Sequence, residues 1–523
     1  MNRHCNIHTN IEVMQDFPTN NKRIAKNTFL LYIRMLFVML VSLYTSRVIL
    51  EALGIEDYGL YNVIGGIVTF LGFINTTMSA ATQRFLTFSL GKDDIAEVKM
   101  VFNTAVKIHI AIAVLLIIRG ETIGLWFLYN KLVIPEDRID AAIWVFQFSL
   151  VTAFFYTINI PYNALIISHE RMSAFAYISI FSTIAQLCVA LLIGNSPIDK
   201  LIFYALLIML IQIVVNSFYK LYCHKYFLES RGRTTINKTI LKEMINYSGW
   251  SLWGSSAVVL YTQGLNILLN MFFGTAINAA RAVSIQVSAS VNQLCSNFQM
   301  AVNPQITKLY ASGNKQYMFD LLCSGTKYAF FLLFLIGFPI ILETDNILDL
   351  WLVEVPNYSS IFIKLSIMVV FLDALSGPLM QAVASTGKIA LYQTVIGGLL
   401  LMILPISYII LKFGGTPTTV YIVHICIASL SYVFRLLFVK NRLGLNLNTY
   451  TYKVLVRILS VVLISTPIPM ALHELLKADL LNSIVIICIS LIIIIISISL
   501  VGLDKSERIF VANKFKDLLY EKN

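Results

Sequence analysis

The chain has 523 residues, 58% of them hydrophobic and 13% charged, with a mean hydropathy of +0.77 and a formal net charge of +11. Water-soluble domains carry roughly 25% charged residues. The polar surface here is too small to coat a soluble globule, which excludes a soluble enzyme or a soluble nucleic-acid-binding domain. Hydrophobic stretches of ~20 residues, each long enough to cross ~30 Å of hydrocarbon, recur from end to end.

The first ~20 residues are polar and lack an apolar core beside a cleavage site, so residues 1–21 read as a disordered tail and not as a signal peptide. About 14 transmembrane helices follow. They are placed near residues 25–50, 58–82, 100–118, 141–167, 173–194, 200–221, 247–272, 277–303, 324–343, 361–385, 390–412, 417–438, 454–473 and 481–503. The third is expected to stop before Arg119 and Glu121, leaving LWFLYN (125–130) at the interface. The tenth is expected to break at Pro378. A basic connection over 222–246, with Arg231, Arg233, Lys238 and Lys242, divides the chain near its middle. The expected architecture is an all-α membrane protein with two pseudo-symmetric six-helix bundles, 22–221 and 247–438. Two extra helices and a tail complete it, over 439–523.

With the N-terminus inside, the inner segments hold 28 of the 39 Lys and Arg but only 13 of the 28 acids. The positive-inside rule predicts this bias, and it favours an even number of spans with both termini cytoplasmic. The positive charge is therefore topological, and it is too dispersed for a nucleic-acid surface. The seven cysteines form no CxxC pair and the seven histidines no HExxH, and there is no GxxxxGK[ST] loop, so no metal, cofactor or nucleotide-driven engine is expected.

The two halves echo each other. Gly54 precedes a helix and then Gly91, and Gly274 precedes a helix and then Gly313, with Gln83 and Gln305 near the helix ends. Transporters built from repeats carry their substrate site between the repeats.

Polar residues inside spans report what faces protein or water. On the second helix Asn62, Gly65, Thr69, Gly72, Thr76, Ser79 and Gln83 trace one face, and on the eighth Arg281, Ser284, Ser288, Asn292, Cys295 and Gln299 do the same. Gln263, Asn266 and Asn270 lie on the seventh helix, and Arg34, Ser42 and Thr45 on the first. These four helices are repeat equivalents and natural walls of one substrate cavity. Helix packing through small residues is the competing explanation for the Gly, Ser and Thr members.

Among the charges, Arg34 lies about ten residues into its helix, where a guanidinium needs a carboxylate, carbonyls or water. Arg281 either lines the cavity or snorkels outward, Arg84 either lines the cavity or anchors the inner surface, and Lys107 reads as a snorkelling lysine. Asp373 is the only acid within a span, and it is the candidate partner of a buried cation or site of a coupling ion, H⁺ or Na⁺. The cationic excess in the spans points to an anionic substrate group, which arginine grips bidentately when it is a phosphate.

Residues 53–94, LGIEDYGLYNVIGGIVTFLGFINTTMSAATQRFLTFSLGKDD, resemble the bacterial polysaccharide flippases of the multidrug/oligosaccharidyl-lipid/polysaccharide (MOP, MATE-like) exporter superfamily, which export O-antigen and capsule oligosaccharides. Supporting segments are PYNALIISHERM (161–172), NAARAVSIQVSASVNQLCSNFQMAVNPQI (278–306), ILDLWLVEVP (347–356) and ASTGKI (384–389). The resemblance implies two six-helix bundles plus two helices, alternating access around a cationic cavity, and location in the bacterial inner membrane. It also implies an undecaprenyl-pyrophosphate-linked oligosaccharide as substrate, with other polysaccharide-assembly membrane proteins as partners. By position, Arg34, Arg84 and Arg281 match cavity cations of such flippases. A multidrug exporter of the same superfamily would want more acid in its cavity, a lipid II flippase would be separated by gene essentiality, and a membrane glycosyl polymerase or ligase would need a larger outer loop.

Overall fold

The computed structural model describes residues 5–72, 74–131, 134–232, 237–352, 355–476, 479–504 and 507–509. Side-chain surroundings are described from residue 27 onward with scattered exceptions. The side chains of Asn62, Thr69, Thr76 and Asn270 lie outside the described set, as do Arg233 and the tail beyond residue 509.

Every regular element among the described residues is helical. Twelve helices among them are long and apolar enough to cross a membrane. The two polar-striped segments, residues 55–91 and 275–311, are not among these twelve; 275–311 is one helix, and 55–91 is helical on either side of a break at Gly72. Their polarity is the feature singled out above. Leucines and isoleucines stand exposed along the outer faces, such as Leu115 and Ile118, or Ile492 and Ile496, as a hydrocarbon solvent requires.

The chain forms two compact units. Unit 1 comprises residues 1–252 and 300–313, and unit 2 comprises residues 253–299 and 314–523. Unit 1 contains α1 (Cys5–Leu71), α2 (Ile74–Gly91), α3 (Ile95–Arg119), α4 (Leu125–Lys131), α5 (Ile139–Ser168), α6 (Met172–Leu192) and α7 (Lys200–Tyr226). It also holds the first part of α8 (Lys238–Phe273) and the last turns of α9 (Thr275–Ala311). At its centre α5 packs on α7, α3, α2 and α1, while α1 packs on α6. Phe146, Leu150, Leu116, Ile64 and Leu201 are buried in its core.

Several expectations are corrected. Residues 5–21 are helical and continuous with the first span, because extending an existing helix costs far less than nucleating one. The third span runs through Arg119 and Glu121: a wide turn over Gly120–Gly124 carries α3 into α4. Gly120 makes this feasible, since a β-carbon there would sit 2.5 Å from Leu150 Cδ2. The predicted second helix is divided, with α1 ending at Leu71 and α2 starting at Ile74. The chain leaves the helix at Gly72, a residue with little helical preference.

Unit 2 contains the rest of α8 and α9 with α10 (Lys315–Leu342), α11 (Thr344–Trp351), α12 (Ser359–Ser385), α13 (Ala390–Leu401), α14 (Ile403–Lys412) and α15 (Thr419–Leu443). Then come α16 (Leu447–Tyr450), α17 (Arg457–Ser465), α18 (Pro467–Leu475) and α19 (Leu480–Ser497). Here α12 is central, packed on α15 and α10, and α19 lies on α10 and α17. On α19 the buried Ser483, Ser490 and Ser497 recur every seven residues, a small-residue seam that admits close helix approach. The expected break at Pro378 is absent: α12 runs unbroken to Ser385, as membrane helices that pack against neighbours tolerate proline.

The two halves share local geometry, in a register that differs from the glycine pairing read from sequence. Gly54 and Gly274 both take positive φ, 80° and 78°, at the joints before the polar-striped segments. Gly313 matches Asp93, not Gly91: both take positive φ, and both are followed by a capping residue. Asp94 accepts from Glu97 N–H and Asn314 from Tyr317 N–H. Thr87 and Thr307 each bond the carbonyl four residues back. All these pairs are 220 residues apart, so Gly91 lies outside the correspondence and serves another purpose. A second set, 217 residues apart, matches Pro161 with Pro378 and positive-φ Glu170 with positive-φ Gly387.

At the predicted outer end of unit 1, Arg138 donates Nε to Asp57 (2.9 Å) and Nη1 to Asp199 (2.6 Å). Asp199 also caps α7 through the N–H groups of Leu201 and Ile202. Burial alone would raise the Asp199 carboxyl, but the Arg138 guanidinium and those two N–H groups outweigh it and hold the group below its ordinary value. A carboxyl depressed in the folded state stabilises above its unfolded pKa of ~3.9 and loses that contribution as pH falls through the folded value. Thermal midpoints in detergent should therefore fall below about pH 4, and Asp199→Asn should flatten that acid limb. An unchanged limb in the variant would refute the assignment.

Candidate functional site

In unit 1, Arg34 on α1 lays its guanidinium over the Phe175 ring at 4.7 Å, and its Nε is buried with no hydrogen-bond partner. Phe175 is one turn into α6, so Arg34 sits nearer the predicted inner end than its position in the sequence suggested. Burying an arginine nitrogen without a partner is costly, and in a membrane it marks a place where water or an anion belongs. Arg84 is buried, with its guanidinium over the rings of Phe85 and Phe88 (both 4.6 Å) and Tyr247 (5.7 Å). This aromatic seat explains how a cation is held away from the surface, which interfacial anchoring alone does not. Thr45 is buried and spends its hydroxyl on the Val41 carbonyl, while Ser42 is exposed.

In unit 2 the structure joins residues the sequence could only group by helix. Arg281 is buried and donates Nε to Asn266 Oδ1 (2.5 Å) and Nη2 to the Thr262 carbonyl (3.2 Å), with Tyr421 beneath it at 5.7 Å. Asn266 in turn donates to Gln263 Oε1 at 3.2 Å. Its neighbours thus hold Arg281 in place, so it does not snorkel. Ser288 bonds back to the Ile285 carbonyl, and Asn292 is exposed on the same helix.

Asp373 lies midway along α12 and is exposed although its neighbours Phe371, Ala374 and Leu375 are buried. Arg435 on α15, Tyr261 on α8 and Cys295 on α9 are within electrostatic reach of it. Arg435 escaped the sequence reading. A helix end placed at 438 assigned it to the basic inner connection, but α15 continues to Leu443 and places Arg435 two turns inside, buried, with an unpartnered Nε.

A second cluster also escaped, at the predicted inner end of unit 1. Glu170, in the turn between α5 and α6, receives Lys308 Nζ at 2.5 Å, the Gln305 amide, and on its backbone carbonyl the Asn27 amide at 3.3 Å. Beside it His169 stacks on Phe227 at 4.2 Å and bonds Glu229. Burial alone would raise Glu229, but the His169 bond and the backbone outweigh it and hold it below its ordinary value. Asn27, His169, Arg171 and Lys308 border a pocket of about 630 Å³. In the sequence, Glu170 lies in HER (169–171), which the positive-inside count treats as loop charge, and Gln305 stands out only as the counterpart of Gln83.

No family model matches the chain, and no curated protein does. Solved structures do. One is a MATE transporter in the bent conformation, with TM-score 0.70 at 14% identity over 83% of this chain and 97% of that one. Another is the outward-facing conformation of a multidrug resistance MATE family transporter of the MOP superfamily, with TM-score 0.69 at 14% identity over 81% and 96%. A third is a MOP superfamily transporter from Pyrococcus furiosus, described as having a binding pocket of reverse polarity that suggests a different function, with TM-score 0.66 at 13% identity over 80% and 96%. The chain thus has the fold of the MATE transporters of the MOP superfamily, with twelve helices among the described residues long and apolar enough to cross a membrane.

Proposed function

We propose that the chain is a flippase for undecaprenyl-pyrophosphate-linked oligosaccharides, moving them from the cytoplasmic to the periplasmic leaflet of a bacterial inner membrane. Fourteen spans, the twelve apolar ones plus residues 55–91 and 275–311, bring both termini to the cytoplasmic side. The observation that carries this reading is Arg34, a charged guanidinium inside the first span whose buried Nε has no partner. It is complemented by Arg84 on its aromatic seat. Both suit an anionic head. The Pyrococcus furiosus neighbour is itself described by a reversed pocket polarity, so the fold accommodates pockets of either sign.

The physical task is clear. A sugar-phosphate head cannot cross ~30 Å of hydrocarbon unaided, because its charge and hydroxyls would lie unsatisfied. Arginines and amides replace water around the head while the lipid tail stays in the bilayer, and rocking of the repeats exposes the head on the other side. An ion gradient or the membrane potential, worth ~2.3 kcal/mol per charge per 100 mV, drives the cycle.

A second reading, a multidrug exporter, is favoured by exposed Asp373, a carboxylate suited to a cationic drug. Deleting the gene in its host separates the two. Lipid-linked units accumulating on the cytoplasmic side, surface polysaccharide lost, and Arg34→Ala failing to restore it are the expected results. Normal polysaccharide with new sensitivity to cationic drugs would overturn the flippase reading in favour of the exporter.

A further inference from the structure

The two repeats turn the same corner with different residues. After α12 the corner is made by Gly387 at φ 74°, and after α5 the matching corner is made by Glu170 at φ 59°. The supporting bonds are alike: Glu170 N–H reaches the Ile167 carbonyl at 2.9 Å and Gly387 N–H the Ala384 carbonyl at 3.0 Å. A left-handed backbone suits glycine and strains a residue with a β-carbon. Unit 1 tolerates this strain only if the side chain contributes something glycine cannot, and such strain tends to mark working positions.

What the carboxylate contributes is a tie to α9. Its side chain is 2% exposed and takes both Lys308 and Gln305, from the last turns of α9. Its backbone carbonyl takes Asn27 from α1. Next to this, α2 and α9 touch backbone to backbone: a β-carbon on Gly91 would lie 2.6 Å from the Lys308 carbonyl oxygen and 2.7 Å from Lys308 Cα. This contact explains why Gly91 stands outside the repeat correspondence. The tied segment begins just past Pro304, which removes a helical hydrogen bond and weakens α9 there. Residues 300–313 belong to unit 1 and the preceding part of α9 to unit 2. The adjoining pocket borders Lys308, so the ion pair parts against polar surroundings and not against hydrocarbon.

We infer that Glu170 is a latch, that it holds the last turns of α9 against the rest of unit 1, and that its release from Lys308 and Gln305 is a step of the transport cycle. The inference rests on the transporter reading above and adds a residue that sets the cycle without touching substrate.

The test uses the full-length protein in lipid nanodiscs and needs no substrate. Hydrogen exchange is followed over residues 300–313, alongside the distance between spin labels at exposed Lys92 and Ser312 in a cysteine-free background. Glu170→Gln and Glu170→Gly should each raise exchange across 300–313 by at least about tenfold and lengthen or broaden the distance, while Glu170→Gly, relieved of strain, keeps or raises the thermal midpoint. Gly91→Ala, which changes no charge, should produce the same opening by backbone clash. The charge exchange Glu170→Lys with Lys308→Glu should bring protection back. Wild-type exchange and distance in Glu170→Gln and Glu170→Gly would overturn the latch, and so would failure of Glu170→Gly to fold, since that would make Glu170 a structural keystone. Either result leaves the flippase reading intact, because that reading stands or falls on where lipid-linked units accumulate.

Discussion

Glu507→Ala should destabilise unit 2 by about 3 kcal/mol, the order found when one partner of a buried ion pair is removed, and lower its thermal midpoint by roughly 5–10 °C. The reason is Lys327, which lies on α10 with only 2% of its side chain exposed. Its Nζ meets Glu507 Oε2 at 2.7 Å and Asp504 Oδ2 at 3.8 Å. Ser324 donates to the same carboxylate at 3.4 Å, as does the Asp504 N–H at 2.7 Å. Arg457 secures the segment from the other side, pairing with Asp504 at 3.1 Å and donating to the Val501 carbonyl at 2.7 Å. Burial alone would raise Glu507, but Lys327, the Asp504 N–H and Tyr328 outweigh it and hold the carboxyl below its ordinary value.

The stretch after the last span is therefore a clasp, and without it an ammonium is left enclosed and uncompensated. The double variant Glu507→Ala with Lys327→Met should recover most of the loss, because replacing a buried pair with apolar groups is close to neutral whereas breaking it is not. Thermal unfolding of the four proteins of this cycle in one detergent decides the matter. A single variant as stable as wild type, or a double variant no better than the single, would show that Lys327 finds another partner.

The fold was largely legible because the bilayer imposes a coarse code: length and apolarity locate the spans, and lysine and arginine orient them. Errors collected where that code is blind. At Gly120–Gly124 a wide turn keeps a polar pentapeptide helical, and the distinction rests on packing against Leu150, which no window of sequence records. Lys327 and Arg435 lie close enough to predicted helix ends to be counted as loop charges, and a boundary shift of a few residues turned two anchors into buried cations. Glu170 was hidden differently. Its corner looks like any charged loop, and the strain shows only when the backbone is compared with its glycine counterpart in the other repeat. The stripes behaved better. Spacing puts Arg281 on the polar face of one helix, composition alone singles out Gln263 and Asn266 on the helix before it, and the structure connects the three by hydrogen bonds.

Asp373→Asn should reduce restoration of surface polysaccharide in the deletion host by at least about tenfold, equivalent to about 1.4 kcal/mol of barrier, with the folded protein still present in the membrane. Two roles compete for this carboxylate. It faces Arg435, whose buried Nε has no partner, so it can serve as the counter-charge that makes a buried cation tolerable. It is also exposed on α12, with Tyr261 and Cys295 nearby, as a coupling site would need to be. The partner role alone predicts that Asp373→Asn combined with Arg435→Met regains function, since neither charge then lacks its complement. The coupling role predicts that the double variant stays inactive and that the residual activity of Asp373→Asn no longer responds when the ion gradient is collapsed. Exposure favours the coupling role: a carboxylate that served only Arg435 would gain from being enclosed with it, because the attraction strengthens as water is excluded, yet the structure encloses the arginine and leaves the acid open. Full activity of Asp373→Asn in the deletion host would remove both roles.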